Sequence, residues 1–491
     1  MEPFFLSLFL ILIFLISLSL FSFSSIFKSK SSTEQNSTDE KLHELPPGRT
    51  GWPFIGEGIE YLSLAKKGCI ENFISTRKNK HNPMLFKTSL LGETVAVLCS
   101  AEGNKLLFSS ENKLVKSWRP RNFGKIFDNS DKTSTIEETM RMRSLSIVIK
   151  ESNSLQKYVE IIDQVAKDHL EKYWEGKEEV KVYFLARKFT FTLACKLMLN
   201  IEDPEVVEEL QKLFDHIAKG FFSLPINIPG TTLNRAIRAS REIRKKFLGM
   251  IKQRKIEIME KTVLDYEAND IVSKLLLEKS KDGEGLNESE IANMILGLLV
   301  AAHDNTSVTV VSTVKYLAEL PETYDKFHGE QKEIANSKGP EELLNFRDIN
   351  EMKYSWNVIC EVLRLQPPVI GTFREAITGF NYDGFLIPKG WKLHWFAYAT
   401  HKNPKYFPEP EKFDPSRFEG NRLVPFTYVP FGEGPHKCPG RAFARLQILV
   451  FMHNLVNKFR WEKVFPDEQL IRDPLLVPTK GLPIRLYPQK P

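Results

Sequence analysis

Apolar positions are not spread evenly along the chain. Residues 3–27, PFFLSLFLILIFLISLSLFSFSSIF, carry no charge between Glu2 and Lys28. About 20 consecutive apolar residues cross a hydrocarbon core as a helix. The start carries Glu2, and Lys28 and Lys30 follow the span. That charge order predicts a retained transmembrane anchor rather than a cleaved leader, with the body on the cytosolic side. Residues 28–57 turn polar and then proline-rich, with Leu45-Pro46-Pro47-Gly48 and Trp52-Pro53. Proline fixes φ and lacks a donor, so this stretch predicts a linker and a stiff, non-helical hinge.

Beyond residue 57 the pattern changes again. Apolar residues recur at helical spacing over 155–174, 205–219, 234–264, 288–318, 348–364 and 441–458. Asp348 is placed to cap the 348–364 helix, and 288–318 reads as one uninterrupted helix. Runs at 84–91 and 94–99 flank Gly92-Glu93 as a hairpin. Residues 372–398 predict short strands turning at Asp383-Gly384 and Lys389-Gly390, and 281–286 a surface loop. Length alone suggests two or three domains. The predominance of helix with one minor β region instead predicts that residues 58–491 form a single, mainly α (α+β) unit.

Composition narrows the function classes. At 42% hydrophobic and 26% charged residues, the chain has ample material for a core. The net charge of +6 comes from 68 basic and 62 acidic residues without a compact basic block. That argues against a nucleic-acid partner and suits an anionic membrane surface. The cysteines, Cys69, Cys99, Cys195, Cys360 and Cys438, are odd in number and scattered. They fit a reducing compartment and offer neither a disulfide framework nor zinc spacing. Asn36, Asn287 and Asn305 match the N-glycosylation pattern, which a cytosolic body leaves unmodified.

The chemistry concentrates at Phe431-Gly432-Glu433-Gly434-Pro435-His436-Lys437-Cys438-Pro439-Gly440, just before the helix predicted from Arg441. Glycines let the backbone turn tightly and approach a flat ligand. A cysteine ahead of a helix N-terminus feels the positive end of the dipole, which favours thiolate. A lone cysteine beside glycines is usually inert. Five fixed positions of Phe-x-x-Gly-x-[Arg/His]-x-Cys-x-Gly make the pattern specific, and it resembles the haem-binding loop of cytochromes P450.

That resemblance implies a helix-rich cytochrome P450 fold behind an N-terminal transmembrane helix. It implies haem b with Cys438 as proximal iron ligand, the thiolate pushing the O–O bond toward cleavage. Phe431 belongs to the same loop. His436 stands where arginine is commoner, against a haem propionate. Arg374 and Arg143 match two propionate-binding arginines, although Thr139 replaces an aromatic expected before Arg143. Glu361, Arg364 and Arg417 match a buried structural triad. Ala301-Ala302-His303-Asp304-Asn305-Thr306-Ser307 aligns with the oxygen-binding pattern of the distal helix. Ala301 and Ala302 leave room for dioxygen, and Asp304 is the proton relay. Asn305 replaces the family's alcohol. Thr306 lies one residue on, turned by about 100°, and does not substitute for it.

The segments SLPINIPGT at 223–231, QPPVIGTFREA at 366–376, FLIPKGWKL at 385–393 and KGLPIRLYP at 480–488 resemble the plant group of β-amyrin 28-oxidase-like triterpene oxidases. This likeness implies a monooxygenase of the endoplasmic reticulum membrane that oxidises a polycyclic terpenoid with O2. Its electrons come from NADPH through NADPH–cytochrome P450 reductase, for which Lys437 and Arg441 are candidate contacts. Val369, Ile370 and Gly371 then line the substrate pocket with Ala301 and Ala302. Asn305 keeps two alternatives open, a peroxide-rearranging haem-thiolate enzyme and an inactive paralogue.

Overall fold

The computed structural model describes residues 44–52, 56–127, 152–260, 270–277, 286–339, 341–420, 423–473 and 475–489. The apolar span 3–27, most of the linker, Asn36, Thr139, Arg143 and the 281–285 loop lie outside the described residues.

The helical stretches fall close to where the periodicity puts them. Helices run over Ser152–Tyr173, Pro204–Gly220, Thr232–Glu260 and Arg441–Lys458. The largest apolar cluster sits among helices. Val159, Ile162 and Leu170 of the first meet Leu449, Phe451 and Leu455 of the last, with Phe189 and Val310. A second cluster joins Phe214, Ile243 and Phe247 to Ile295 and Leu299.

Two expectations need correcting. The 348–364 helix is two helices, Phe346–Glu351 and Lys353–Leu365. Asp348 is not the cap. Asn345 caps the first, its side chain accepting from the Arg347 and Asp348 N–H groups, and Asp348 accepts in return from the Asn345 N–H. A residue three positions into a helix closes a capping box rather than starting the helix.

The 288–318 helix is interrupted at His303, dividing into Glu288–Ala302 and Asp304–Glu319. Around the break three side chains reach back to carbonyls four residues earlier. His303 Nδ1 lies 3.2 Å from Leu299 O, Asn305 Nδ2 donates to Ala301 O at 3.2 Å, and Thr306 Oγ1 donates to Ala302 O at 3.1 Å. Side chains that compete for ladder carbonyls bend helices. By length and composition the Glu288–Glu319 stretch resembles a membrane span. Its burial among other helices makes it a core helix.

Twelve strands are described: β1 Leu85–Leu90, β2 Glu93–Leu98, β3 Val115–Trp118, β4 Glu179–Lys181, β5 Phe373–Ala376, β6 Phe380–Tyr382, β7 Phe385–Ile387, β8 Lys392–Trp395, β9 Phe459–Lys463, β10 Leu470–Arg472, β11 Leu476–Pro478 and β12 Pro483–Pro488. The main sheet has the order β1-β2-β8-β5-β3, with β2 and β8 parallel and the other pairs antiparallel. Strand side chains alternate between faces. Leu393, Trp395 and Ala376 pack on one face with Phe108, while Phe86, Val95 and Val97 pack on the other with Phe73. Both faces are covered, so β8 is buried throughout. Arg374 is paired in register with Leu393 and Ser117, which puts it on the Phe108 face.

The proline segment is stitched to this sheet. The Lys87 N–H donates to Pro47 O at 2.8 Å, and the Glu57 N–H to Ser89 O at 2.9 Å. Residues Leu45–Pro491 form one compact unit.

Candidate active site

The turn carrying Cys438 is built by backbone bonds. The Gly432 N–H donates to Val429 O at 3.0 Å, and the Cys438 N–H to Phe431 O at 2.8 Å. Gly434 has φ +67, and a Cβ there would collide with the Phe108 carbonyl. Only glycine allows this approach between the turn and the end of the Ala101–Ser109 helix. Cys438 is exposed, two residues before the N-cap Gly440 of the Arg441–Lys458 helix. It is accessible yet sits in a protein-lined hollow. That burial raises its thiol pKa, while the backbone N–H groups of Gly440 and Arg441 pull it down. The helix end thus stabilises negative sulfur as expected, but in the protein alone desolvation prevails.

His436 and Arg374 meet on one carboxylate that sequence reasoning missed, Glu111. Arg374 Nε donates to Glu111 Oε2 at 3.0 Å, and His436 Nε2 lies 3.0 Å from Glu111 Oε1. The Ser117 N–H also donates to Oε1, at 2.8 Å. Burial alone would raise the Glu111 pKa, but the His436 bond and the Arg374 charge hold it below the usual carboxylate range. Arg374 Nη1 donates to Thr372 Oγ1 at 3.1 Å, which also accepts from Trp395 Nε1 at 2.9 Å.

Glu361 and Arg364 form a fully buried two-point pair, with Arg364 Nε to Glu361 Oε2 at 2.6 Å and Nη2 to Oε1 at 2.7 Å. The Asp414 N–H donates to Glu361 Oε1 at 2.9 Å. Arg417 Nε stands 3.5 Å from the same oxygen, within ion-pair range but not hydrogen-bonded. The three residues are therefore together. His401 joins the pair to the cysteine turn. Its Nε2 accepts from the Val429 N–H at 2.9 Å, which leaves Nδ1 to donate to Arg364 O at 3.2 Å.

On the distal helix Asp304 is buried and clamped. Arg187 Nε donates to its Oδ1 at 2.9 Å, and His303 Nε2 lies 3.1 Å from it. Burial would raise the Asp304 pKa, but His303 and Arg187 drive it far below the usual range. Arg187, also missed from sequence, reaches on to half-exposed Asp215 through Nη2 at 2.7 Å. Asn305 uses its amide NH2 on Ala301 O, and its Oδ1 is buried without a donor. Thr306 is buried and spends its hydroxyl on Ala302 O. Ala301 is exposed, although its helix neighbours Ile295, Leu296 and Leu299 are buried. Ala302 beside it is half-buried, so two small side chains stand at this point of the helix.

The other pocket candidates are less uniform. Val369, Ile370 and Gly371 are half-buried. Ile370 packs toward the Phe73 face of the sheet. The space where a Gly371 Cβ would stand is filled by Trp395 O, so this residue offers only main chain. Lys437 is paired with Glu433 at 2.9 Å, and exposed Arg441 lies 5.8 Å over the Phe431 ring.

This donor set suits haem. An accessible sulfur stands at a helix start, a glycine-lined turn leaves room beside it, and the buried cation Arg374 has no described partner at Nη2. A family model for cytochrome P450 matches residues 46–485. The chain belongs to the cytochrome P450 family, and membership implies haem, dioxygen and reductase-supplied NADPH electrons. It is 56% identical over 444 residues to luvungin A synthase of Citrus sinensis, covering 90% of this chain and 93% of the relative. It is 50% identical over 492 residues to β-amyrin 28-monooxygenase of Vitis vinifera, covering all of both. The Medicago truncatula β-amyrin 28-monooxygenase is 52% identical, covering 91% of this chain and 93% of the relative. Retinoic acid-bound cyanobacterial CYP120A1 superposes with a TM-score of 0.80 at 28% identity, covering 91% of this chain and all of that one. None of these relatives favours the peroxide-rearranging or inactive alternatives.

Proposed function

We propose that this cytochrome P450 oxidises a polycyclic terpenoid, a triterpene of the β-amyrin type, with O2 and electrons from NADPH–cytochrome P450 reductase. One observation carries the reading. An accessible Cys438 is held by a glycine turn at a helix start, in a chain aligned end to end with a β-amyrin 28-monooxygenase. When bound, haem supplies the metal centre at which dioxygen is activated.

The chain's residues supply the rest. Cys438 is the iron ligand. Arg374 and His436 hold the propionates, with Arg143 outside the described residues as a third candidate, and Phe431 closes the turn. Glu361, Arg364 and Arg417 brace the loop from below. Asp304 holds a proton route, Asn305 offers its amide hydrogen rather than a transferable proton, and Thr306 is turned away. Ala301, Ala302, Val369, Ile370 and Gly371 border the substrate space. Residues 3–27 anchor the protein in the endoplasmic reticulum membrane as a single span, with residues 58–491 on the cytosolic side.

The test is expression with the reductase and a panel of triterpene scaffolds. An oxygenated product that needs both NADPH and O2 is expected. Failure of every scaffold to stimulate NADPH consumption would count against the substrate class. Loss of the thiolate signature in the reduced, carbon monoxide-bound spectrum of Cys438→Ser is expected as well. An unchanged spectrum would remove Cys438 as the ligand.

A further inference from the structure

We infer that Glu111 is the positioning residue of the propionate seat, the group that fixes His436 of the cysteine turn and Arg374 of β5 relative to one another. The inference rests on the haem-thiolate reading above and adds a residue to it.

Glu111 is almost fully withdrawn from solvent, its side chain 4% exposed, and its carboxylate is used from both ends. One oxygen takes Arg374 Nε, and the other takes His436 Nε2 and the Ser117 N–H. These partners come from three separate parts of the chain. Ser117 and Arg374 are cross-strand neighbours in β3 and β5, so two of the bonds fix the carboxylate to the sheet. The third reaches the cysteine turn. That turn is already pressed against Phe108 at Gly434. The Gly434 approach and the His436 bond lie two residues apart on the turn and meet residues three apart on the other segment. Together they stop the turn from pivoting about either contact alone.

The charge balance gives Glu111 a second effect. Burying a cation without a partner is costly, and Arg374 is 5% exposed in its side chain. Glu111 neutralises it while using only Nε, and Thr372 and the Phe373 carbonyl take Nη1. Nη2 has no described partner. The arginine is thereby held through Nε and Nη1, leaving Nη2 for an external carboxylate, the chemistry a propionate presents. His436 stands in the turn where the family more often has arginine, and Glu111 fixes its ring through the 3.0 Å contact at Nε2. With haem bound, the negative charge of Glu111 would favour the oxidised state of the iron.

The experiment compares wild type with Glu111→Gln, which keeps the reach and loses the charge, and with Glu111→Asp, which keeps the charge and loses the reach. Two readouts are taken on the holoprotein: the rate of haem transfer to apomyoglobin, and the ferric–ferrous reduction potential. Loss of an outer support of a metal site commonly costs about tenfold or more in retention. We expect haem loss at least that much faster in both variants, and a more positive potential in Glu111→Gln alone. A purely structural carboxylate would lower stability without moving the potential. Wild-type haem retention and potential in Glu111→Gln overturn the proposal. Should that variant not accumulate in folded form, unchanged haem retention in Glu111→Asp overturns it equally. Absence of a thiolate signature in the wild type would instead refute the haem-thiolate reading itself.

Discussion

Arg364 and Glu361 meet in a two-point ion pair with no exposed surface on either side chain. The remaining guanidinium hydrogens are also spent, on the carbonyls of His401, Pro410 and Lys412. Lysine has three donors and no planar fork. Breaking one partner of a buried pair typically costs about 3–5 kcal/mol. Arg364→Lys is therefore expected to lower the urea midpoint strongly and to reduce the haem-loaded fraction. Wild-type stability in this variant would show that the pair is dispensable.

Asn305 leaves a buried amide oxygen unpaired while its NH2 caps Ala301. An amide donates a hydrogen bond but does not pass on a proton. Turnover should leak more hydrogen peroxide per substrate oxidised than in Asn305→Thr. The same change removes an orphan acceptor, worth about 1–3 kcal/mol, so the melting temperature should rise. Equal leakage in the two proteins argues against the coupling role, and an unchanged melting temperature against the packing argument.

Asp304 is the only buried carboxylate on the distal helix among the described residues, and Arg187 links it to half-exposed Asp215. Asp304→Asn keeps the shape and leaves Arg187 paired with Asp215. Proton-transfer groups contribute about 10²–10⁴-fold in rate. The expected result is a kcat at least a hundredfold lower with haem content and substrate affinity unchanged. A parallel fall in affinity would assign Asp304 to the architecture of the pocket instead.

Four buried histidines set the acid response. Desolvation lowers His169 and His401 to about 3, and His394 and His453 to about 4. Each stays neutral in the folded protein and binds a proton on unfolding near its ordinary value of about 6.5. The unfolded state therefore holds more protons below that value, and stability falls with pH. The contribution is complete above about pH 6.5 and declines at about 1.4 kcal/mol per pH unit for each histidine until the folded values are reached. Denaturant midpoints should drop steeply as pH falls below about 6.5, and the part of the drop between about pH 6.5 and 5.5 lies above the range where carboxylates titrate. A flat profile there would contradict the buried, neutral assignment.

Local features were readable from sequence. The β1–β2 hairpin, the strands around Asp383-Gly384 and the Arg441–Lys458 helix follow from spacing, because neighbours along the chain decide them. The cysteine turn was legible for the same reason. Glu111 and Arg187 were not. The partners that give them their roles, Arg374 and Asp304, lie 263 and 117 residues away, and nothing beside them in the chain distinguishes them from surface charges. The break at His303 is an intermediate case. The run His303-Asp304-Asn305-Thr306 contains the competing side chains, but apolar periodicity counts only the residues that pack. Asp348 was misplaced because caps and capping-box acids share residue types, and only the backbone bonds of Asn345 separate them.

The closeness of Gly434 to the Phe108 peptide has a bearing on redesign. A randomised library at 434 should return glycine alone, since every other residue needs the volume held by that oxygen. Re-aiming the sulfur for a new chemistry must begin at the far partner, by remodelling the helix end that sets the pivot, and not at the conspicuous motif itself.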